Sequence, residues 1–172
     1  MADGTDEIVA AAEEVARLLD YDNLVIKIPC RWGELAAPAS LAKRGYAIKC
    51  TACMTFPQAV LAAVAGARYV SMFFGQSSDY GVDFHAHARL AVDHFGHMPD
   101  GPQLIVGSIR KPYHVHEMLA MGVHIVTVPY HFLQLQQLSA HPKTTEAVEQ
   151  FAAHYSPMRE DGCRRARRRL LR

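Results

Sequence analysis

Five short runs rich in aliphatic and β-branched residues recur along the chain, and a stretch with helical spacing follows each. The runs are "LVIKIP" from Leu24, "YAIKCTA" from Tyr46, "RYVSMFF" from Arg68, "PQLIVGSIR" from Pro102 and "HIVTVP" from His124. This alternation constrains the fold more than any other feature, because strand–helix–strand units pair their strands in parallel through right-handed crossovers. Apolar runs of this kind suit strands covered on both faces. The helical stretches are expected at residues 6–20, up to about Arg44 with Gly45 as stop, at Pro57–Ala65 with Gly66 after it, and at Val82 to about Phe95. Others are expected at Pro112–Met121 before Gly122, near His131–Ser139 and at Thr144–His154, with "GQSSDYG" as a loop. In the first of them Ile8, Ala12, Val15 and Leu18 or Leu19 share a face.

Two architectures fit an α/β chain of this pattern: an open doubly wound sheet, or a partial (β/α)8 barrel of about five parallel units. No Gly-rich phosphate loop follows the first strand, which weakens the nucleotide-binding form of the open sheet. A closed barrel takes eight strands and about 250 residues, and this chain has 172. Residues 1–156 are expected to form the partial barrel. Residues 157–172, with "CRRARRRLLR", read as a solvated Arg-rich tail, anion binding being the other use of such a run.

Net charge is +1, so nothing draws the chain as a whole to nucleic acid or membrane. No apolar run approaches the roughly 20 residues of a membrane span, and the acidic start lacks the regions of a signal peptide. Cys30, Cys50, Cys53 and Cys163 make no extracellular framework. The lone C-x-x-C of Cys50 and Cys53 reads as two reduced thiols at a strand end, since a zinc site would want a second pair. A cytosolic protein is expected.

The chemistry-bearing residues stand at strand ends. Alternation puts Val25, Lys27 and Pro29 on one face, with Lys27 two residues before the carboxyl edge where α/β barrels place their sites. An ammonium is costly to bury unpaired. A lysine ringed by apolar groups therefore tends to the neutral amine, which attacks carbonyls to form a Schiff base; an edge lysine reaching out to water is the alternative. Lys49 and Thr51 share a face, as do Ser71 and Phe73, and Ser108 and Arg110. A hydroxyl beside a guanidinium suits a phosphate group, and a plain surface pair is the other reading.

Taken in order, "VIKIP", "GYAIKCTA", Gln58 followed by "AAVAGARYVS", "GSIRKP", "HIVTVP" and "HPKTTEAVEQF" resemble the transaldolase family, particularly its short-chain branch, which includes the fructose-6-phosphate aldolases. The likeness runs from about Leu24 to about His154 and favours the barrel. It implies a transferase that moves a dihydroxyacetone unit between sugar phosphates in the pentose phosphate pathway, with no metal and no cofactor. Lys27 falls on the family's Schiff-base lysine, Thr51 on the threonine that holds the catalytic water, and Phe73 on the aromatic position of the site. Phenylalanine there tilts the likeness toward transferase over free aldolase. Ser108 and Arg110 fall on the phosphate-binding pair.

Three departures qualify the resemblance. The family's first three strands, with an aspartate, an asparagine and a glutamate or glutamine, have no counterpart by motif. General acid–base help of that kind is worth roughly 10² to 10⁴ in rate. Gln76 stands where the family has a second phosphate-binding arginine, and Lys49 where many members have asparagine. A truncated, weakly active or inactive paralogue that binds a partner is thus one alternative function. A class I aldolase of specialised metabolism, acting on a related sugar, is another. Strand edges left open predict a homo-oligomer. Of ten histidines, His87 and His94 fall roughly on one helical face with His97 three residues on, and His114 and His116 are spaced poorly for helical chelation; surface histidines are expected over a metal site, and His85 and His87 are candidate substrate contacts.

Overall fold

The computed structural model describes residues 4–134 and 141–155, which fall into two compact units, Met1–Pro129 and Tyr130–Arg172. The first opens with α1 (Gly4–Leu19), β1 (Val25–Pro29), a 3-10 turn (Trp32–Glu34) and α2 (Ala36–Lys43). It continues through β2 (Ala47–Cys53), α3 (Phe56–Val64), β3 (Tyr69–Phe73), α4 (Phe74–Asp79) and α5 (Phe84–Gly96). It ends with β4 (Gln103–Gly107), α6 (Pro112–Met121) and the two-residue β5 (Ile125–Val126).

The five strands form one parallel sheet in the order β1-β2-β3-β4-β5. This order decides between the two architectures. A doubly wound sheet reverses its strand order and carries helices on both faces. A sheet that steps in one direction through right-handed crossovers brings every helix to the same face. The fold is therefore a partial (β/α) barrel of five units. Ile48, Cys50, Val70, Met72, Leu104 and Val106 are fully buried on the helix side. Ala37, Ala59, Ala62, Ala88 and Ala91, equally buried, let the helices approach closely.

A bulge in β2 has consequences for the sulfur chemistry. Residues three apart in a regular strand face opposite sides. Between Cys50 and Cys53 the register against β3 shifts, and Ala52 takes a φ of +60°. The extra residue turns Cys53 back to the helix side, where it pairs with Met72.

Two expectations need correction. "GQSSDYG" is not a loop throughout, because Phe74–Asp79 forms a short helix. Ser77 Oγ donates to the Phe73 carbonyl (2.6 Å) and Ser78 Oγ to the Phe74 carbonyl (3.0 Å), both four residues back. The stripe expected on α1 is also misplaced. Val9 and Ala12 are buried, while Val15, Leu18 and Leu19 are about half exposed or more. Burial of that stripe needed a neighbour beyond β1, and β1 is the edge of the sheet.

Helix starts follow local chemistry. At α3, Thr55 and Gln58 form a capping box, with Gln58 Oε1 accepting from the Met54 and Thr55 N–H groups at 2.7 and 3.2 Å. The second unit contains α7 (Tyr130–Gln134) and α8 (residues 142–155), with a Lys143–Glu146 ion pair at 2.6 Å in the first turn of α8. The helix expected at 131–139 is thus described only to Gln134, and the Arg-rich stretch from residue 157 lies outside the described residues. Among the described residues no helix is long and apolar enough to cross a membrane.

Gly66 ends the α3 region with φ +81°, and a Cβ there would lie 2.9 Å from Ala42 Cβ. Left-handed backbone costs a non-glycine residue about 1–2 kcal/mol, and the contact with α2 adds to it. Gly66→Ala is expected to lower unfolding free energy by at least about 1 kcal/mol in urea titration; an unchanged midpoint would refute this account.

Candidate active site

The parallel register builds a row of side chains on the face away from the helices. Lys27 stands opposite Lys49, Pro29 opposite Thr51, and Lys49 opposite Tyr69. Further along, Ser71 faces Ile105 and Phe73 faces Gly107. Adjacent strands are about 4.8 Å apart, so the two lysines are immediate neighbours. The shared faces expected within each strand, Lys27 with Pro29 and Lys49 with Thr51, hold, and the register places both sets on one face of the sheet.

The expected environment of Lys27 does not. Its side chain is exposed rather than ringed by apolar groups, while Lys49 is half-buried and Thr51 buried. Farther from the edge, Ser71 and Ile105 on the same face are buried. Cover thus increases away from β1, which has a strand on one side only. Lys27 lines an open groove of about 450 Å³ between α1 and β1, along with Ile8, Ala12, Val15 and Leu24. Thr51, Phe73, Ser108 and Arg110 do not line it. Burial therefore does not supply the neutral amine here.

The second cluster lies at the ends of β3 and β4. Ser108, just past β4, adopts φ +60°, a strained conformation for serine. Gly75 N–H donates to the Ser108 carbonyl at 3.0 Å. A Cβ on Gly75 would collide with Arg110 Nε and would lie 2.7 and 2.9 Å from the Ser108 carbonyl and hydroxyl oxygens. Absence of a side chain at residue 75 is what lets Ser108 and Arg110 converge. Phe73 is half-buried against Gly107, whose missing side chain also leaves room for Thr127 Oγ1.

Arg110 is not free. Its Nη1 donates to Asp79 Oδ1 at 2.7 Å and its Nη2 to Asp79 Oδ2, a two-pronged pair about half exposed. Asp79 was not foreseen, because its segment read as loop; a carboxylate six residues after Phe73 was the available signal. Gln76, three residues before Asp79 on α4, is exposed and brings no charge. Between the strand of Lys27 and the strand that leads into Ser108 and Arg110 lie β2 and β3. Lys27 and the Ser108/Arg110 pair are three strand spacings apart, about 14 Å in a flat sheet and less in a curled one.

The histidines have structural duties. His87 Nδ1 accepts from the Phe56 N–H at 3.1 Å and so caps α3. His124 Nδ1 accepts from Leu104 N–H at 3.2 Å. His85 pairs with Glu117 at 3.4 Å and packs edge-on to Phe74. Among the described residues no three His, Cys, Asp or Glu side chains are grouped to hold a metal ion.

A one-sided stack of parallel βα units with lysines and an anion-suited pair at strand ends is the frame of a barrel enzyme whose chemistry sits at the carboxyl edge. Residues 1–165 match the family described as Transaldolase/Fructose-6-phosphate aldolase, and the chain belongs to it. It is 36% identical over 152 residues to a probable transaldolase 2 of Bacillus cereus, covering 88% of this chain and 68% of that protein. It is 35% identical over 150 residues to a probable transaldolase of Brachyspira hyodysenteriae, covering 87% and 67%. A probable transaldolase of Desulforudis audaxviator is 36% identical over 155 residues, covering 90% and 70%.

Two predictions follow from the polar contacts. An exposed ion pair is worth up to about 1 kcal/mol, so Asp79→Asn should tighten inorganic phosphate binding by up to about fivefold. Calorimetric titration of both proteins checks this, and weaker binding in the variant would mean that Asp79 positions Arg110 rather than competing for it. His114 is buried between Phe74 (ring centroids 4.2 Å) and Tyr113 (4.4 Å), with no hydrogen-bond partner for Nδ1 among the described residues. Burial holds its pKa below the ordinary 6.5, against the opposing pull of Glu117 and with lesser help from Lys111 and His85. The unfolded chain then binds the proton more readily, so stability is present above about pH 6.5 and falls as pH drops below it. Urea midpoints between pH 7.5 and 5 should fall less in His114→Phe than in the parent.

Proposed function

We propose that this chain is a transaldolase-type transferase that forms a Schiff base through Lys27. The observation that carries the reading is the placement of Lys27 on the inner face of β1, two residues before its end and in register with Lys49. The family membership supports the same residue. The ε-amine adds to the ketone of a ketose phosphate, and loss of water leaves an iminium. Loss of the proton on the C4 hydroxyl breaks the C3–C4 bond, and the electron pair is taken up as an enamine. An aldose leaves, and a three-carbon dihydroxyacetone unit stays on Lys27 until an acceptor aldose takes it. Thr51, buried beside Pro29, holds the water that enters and leaves. Phe73 gives the site an apolar wall, and Ser108 and Arg110 receive the phosphate once Asp79 is displaced.

Among the described residues none is assigned the proton transfers. Turnover is accordingly expected to trail adduct formation by roughly 10² or more relative to an enzyme with a complete acid–base set.

A second reading has its own support. The open edge of β1, the exposure of Lys27 and the engagement of Arg110 by Asp79 suit a family member that assembles with itself or with another subunit and turns over weakly or not at all. A single sharp monomer in light scattering would remove the self-assembly part of this reading.

Incubation with fructose 6-phosphate and borohydride, followed by peptide mass mapping, separates the two. The first reading requires a reduced sugar adduct on Lys27 that disappears in Lys27→Ala. An adduct on Lys49 alone, or none, would overturn it. Parallel trapping with unphosphorylated fructose would show whether the phosphate matters to a site with glutamine at residue 76.

A further inference from the structure

Three thiols gather at the ends of β1 and β2, and nothing in the proposed reaction uses them. Cys30 follows Pro29 directly; its N–H donates to the Thr51 carbonyl at 2.7 Å, and its thiol to the Gln58 carbonyl at 3.5 Å. It is half-buried, whereas Cys50 and Cys53 are fully buried. The β2 bulge brings Cys53 to the side of the sheet that Cys30 faces, and the β1–β2 pairing, with Cys30 N–H on the Thr51 carbonyl two residues before Cys53, sets the two residues at adjacent strand ends. Cys50, one pleat earlier, stands opposite Ile28.

We propose that Cys30 and Cys53 are a peroxide-sensitive dithiol pair, oxidised to a disulfide that ties the end of β1 to the end of β2. Cys30 is the attacking sulfur. Its pKa is lowered, first by the hydrogen bond from Cys53 and in spite of burial. The Cys53 thiol is pushed well up by its pairing with Cys30, by burial and by the neighbouring sulfur charges, and it is fully buried where Cys30 is half-exposed. Cys50 is pushed up to about 12 by burial and by the charge on Cys30. The thiolate is the reactive form, so Cys30 leads.

The chemistry closes with a hydroperoxide as oxidant. The Cys30 thiolate attacks the near peroxide oxygen, the O–O bond breaks, and the leaving oxyanion takes a proton to become an alcohol or water. Cys30 is now a sulfenic acid. Its negative charge is gone, which removes one cause that kept Cys53 protonated. The Cys53 sulfur attacks the Cys30 sulfur, the S–O bond breaks, and the departing hydroxide leaves as water with the Cys53 proton. Two electrons pass from the thiols to the peroxide. The Thr51 carbonyl already accepts from Cys30 N–H and Cys53 is two residues further on, so the cross-link fixes the backbone that carries Thr51.

The test uses the full reduced chain, stoichiometric hydrogen peroxide, alkylation in denaturant and tryptic mapping. The expected product joins Ile28–Arg31 to Cys50–Arg68, lighter than the two peptides by two hydrogens and separated again by dithiothreitol. It should persist in Cys50→Ser and vanish in Cys53→Ser. Because Cys53 is a core residue, Cys30→Ala at the half-buried position is the second check, and there both Cys50 and Cys53 should be alkylated after peroxide. A cross-link to Cys50, one that survives Cys53→Ser, a sulfinic acid on Cys30 with no cross-link, or no loss of free thiols would each overturn the proposal.

Discussion

The register between β1 and β2 is the interaction on which the rest of the structure depends. Five parallel pairs, from Val25↔Ala47 to Pro29↔Thr51, put two lysines side by side and a buried threonine next in line. The same pairing delivers Cys30 to the Thr51 carbonyl. A slip by one residue would turn Lys27 into the helix layer, where the ammonium would have no partner, and bring Ile28 out. The apolar demand of Ile26 and Ile28 for the helix side therefore fixes where the amine stands. Polar chemistry on one face is positioned by hydrophobic burial on the other.

Much of this was legible in the sequence, because it depends on local periods. The five strands, the turns at Gly45, Gly66 and Gly122, and the shared face of Lys49 and Thr51 follow from alternation and from residues that tolerate positive φ. Other features depend on what lies next to an element, and a single sequence does not carry that. Lys27 read as buried because its neighbours in the chain are apolar; its exposure comes from having no strand on one side. Val15, Leu18 and Leu19 misled for the same reason. The short helix at Phe74 escaped notice because serines and glycine read as loop, while two hydroxyls bonded four residues back hold it. Cys53 could not be assigned to its face without the bulge at Ala52.

The two site clusters respond differently to the open edge. Ser108, Arg110, Gly75 and Phe73 sit on interior strands, and their geometry is set by contacts within the sheet: a tight glycine, a strained serine and a two-pronged ion pair. Lys27 has only β2 beside it. Imine chemistry needs a neutral amine and a place that holds little water, and the edge strand offers neither by burial. Anything that covers the inner face of β1, substrate or subunit, changes Lys27 more than any other residue of the site.

Charge at the anion cluster points the same way. Arg110 already meets a carboxylate on both prongs, and Gln76 adds no charge. A phosphate entering there must replace Asp79 as partner and leave that carboxylate to water, which costs little because the pair is about half exposed. Under the proposed reaction, discrimination for a phosphorylated ketose at this position is therefore shallow, and the strength of substrate binding shifts to the lysines. With Lys49 beside Lys27, two ammoniums face the incoming sugar at the other end of the row. An anionic substrate is attracted to both ends, and only the lysine end can hold it covalently.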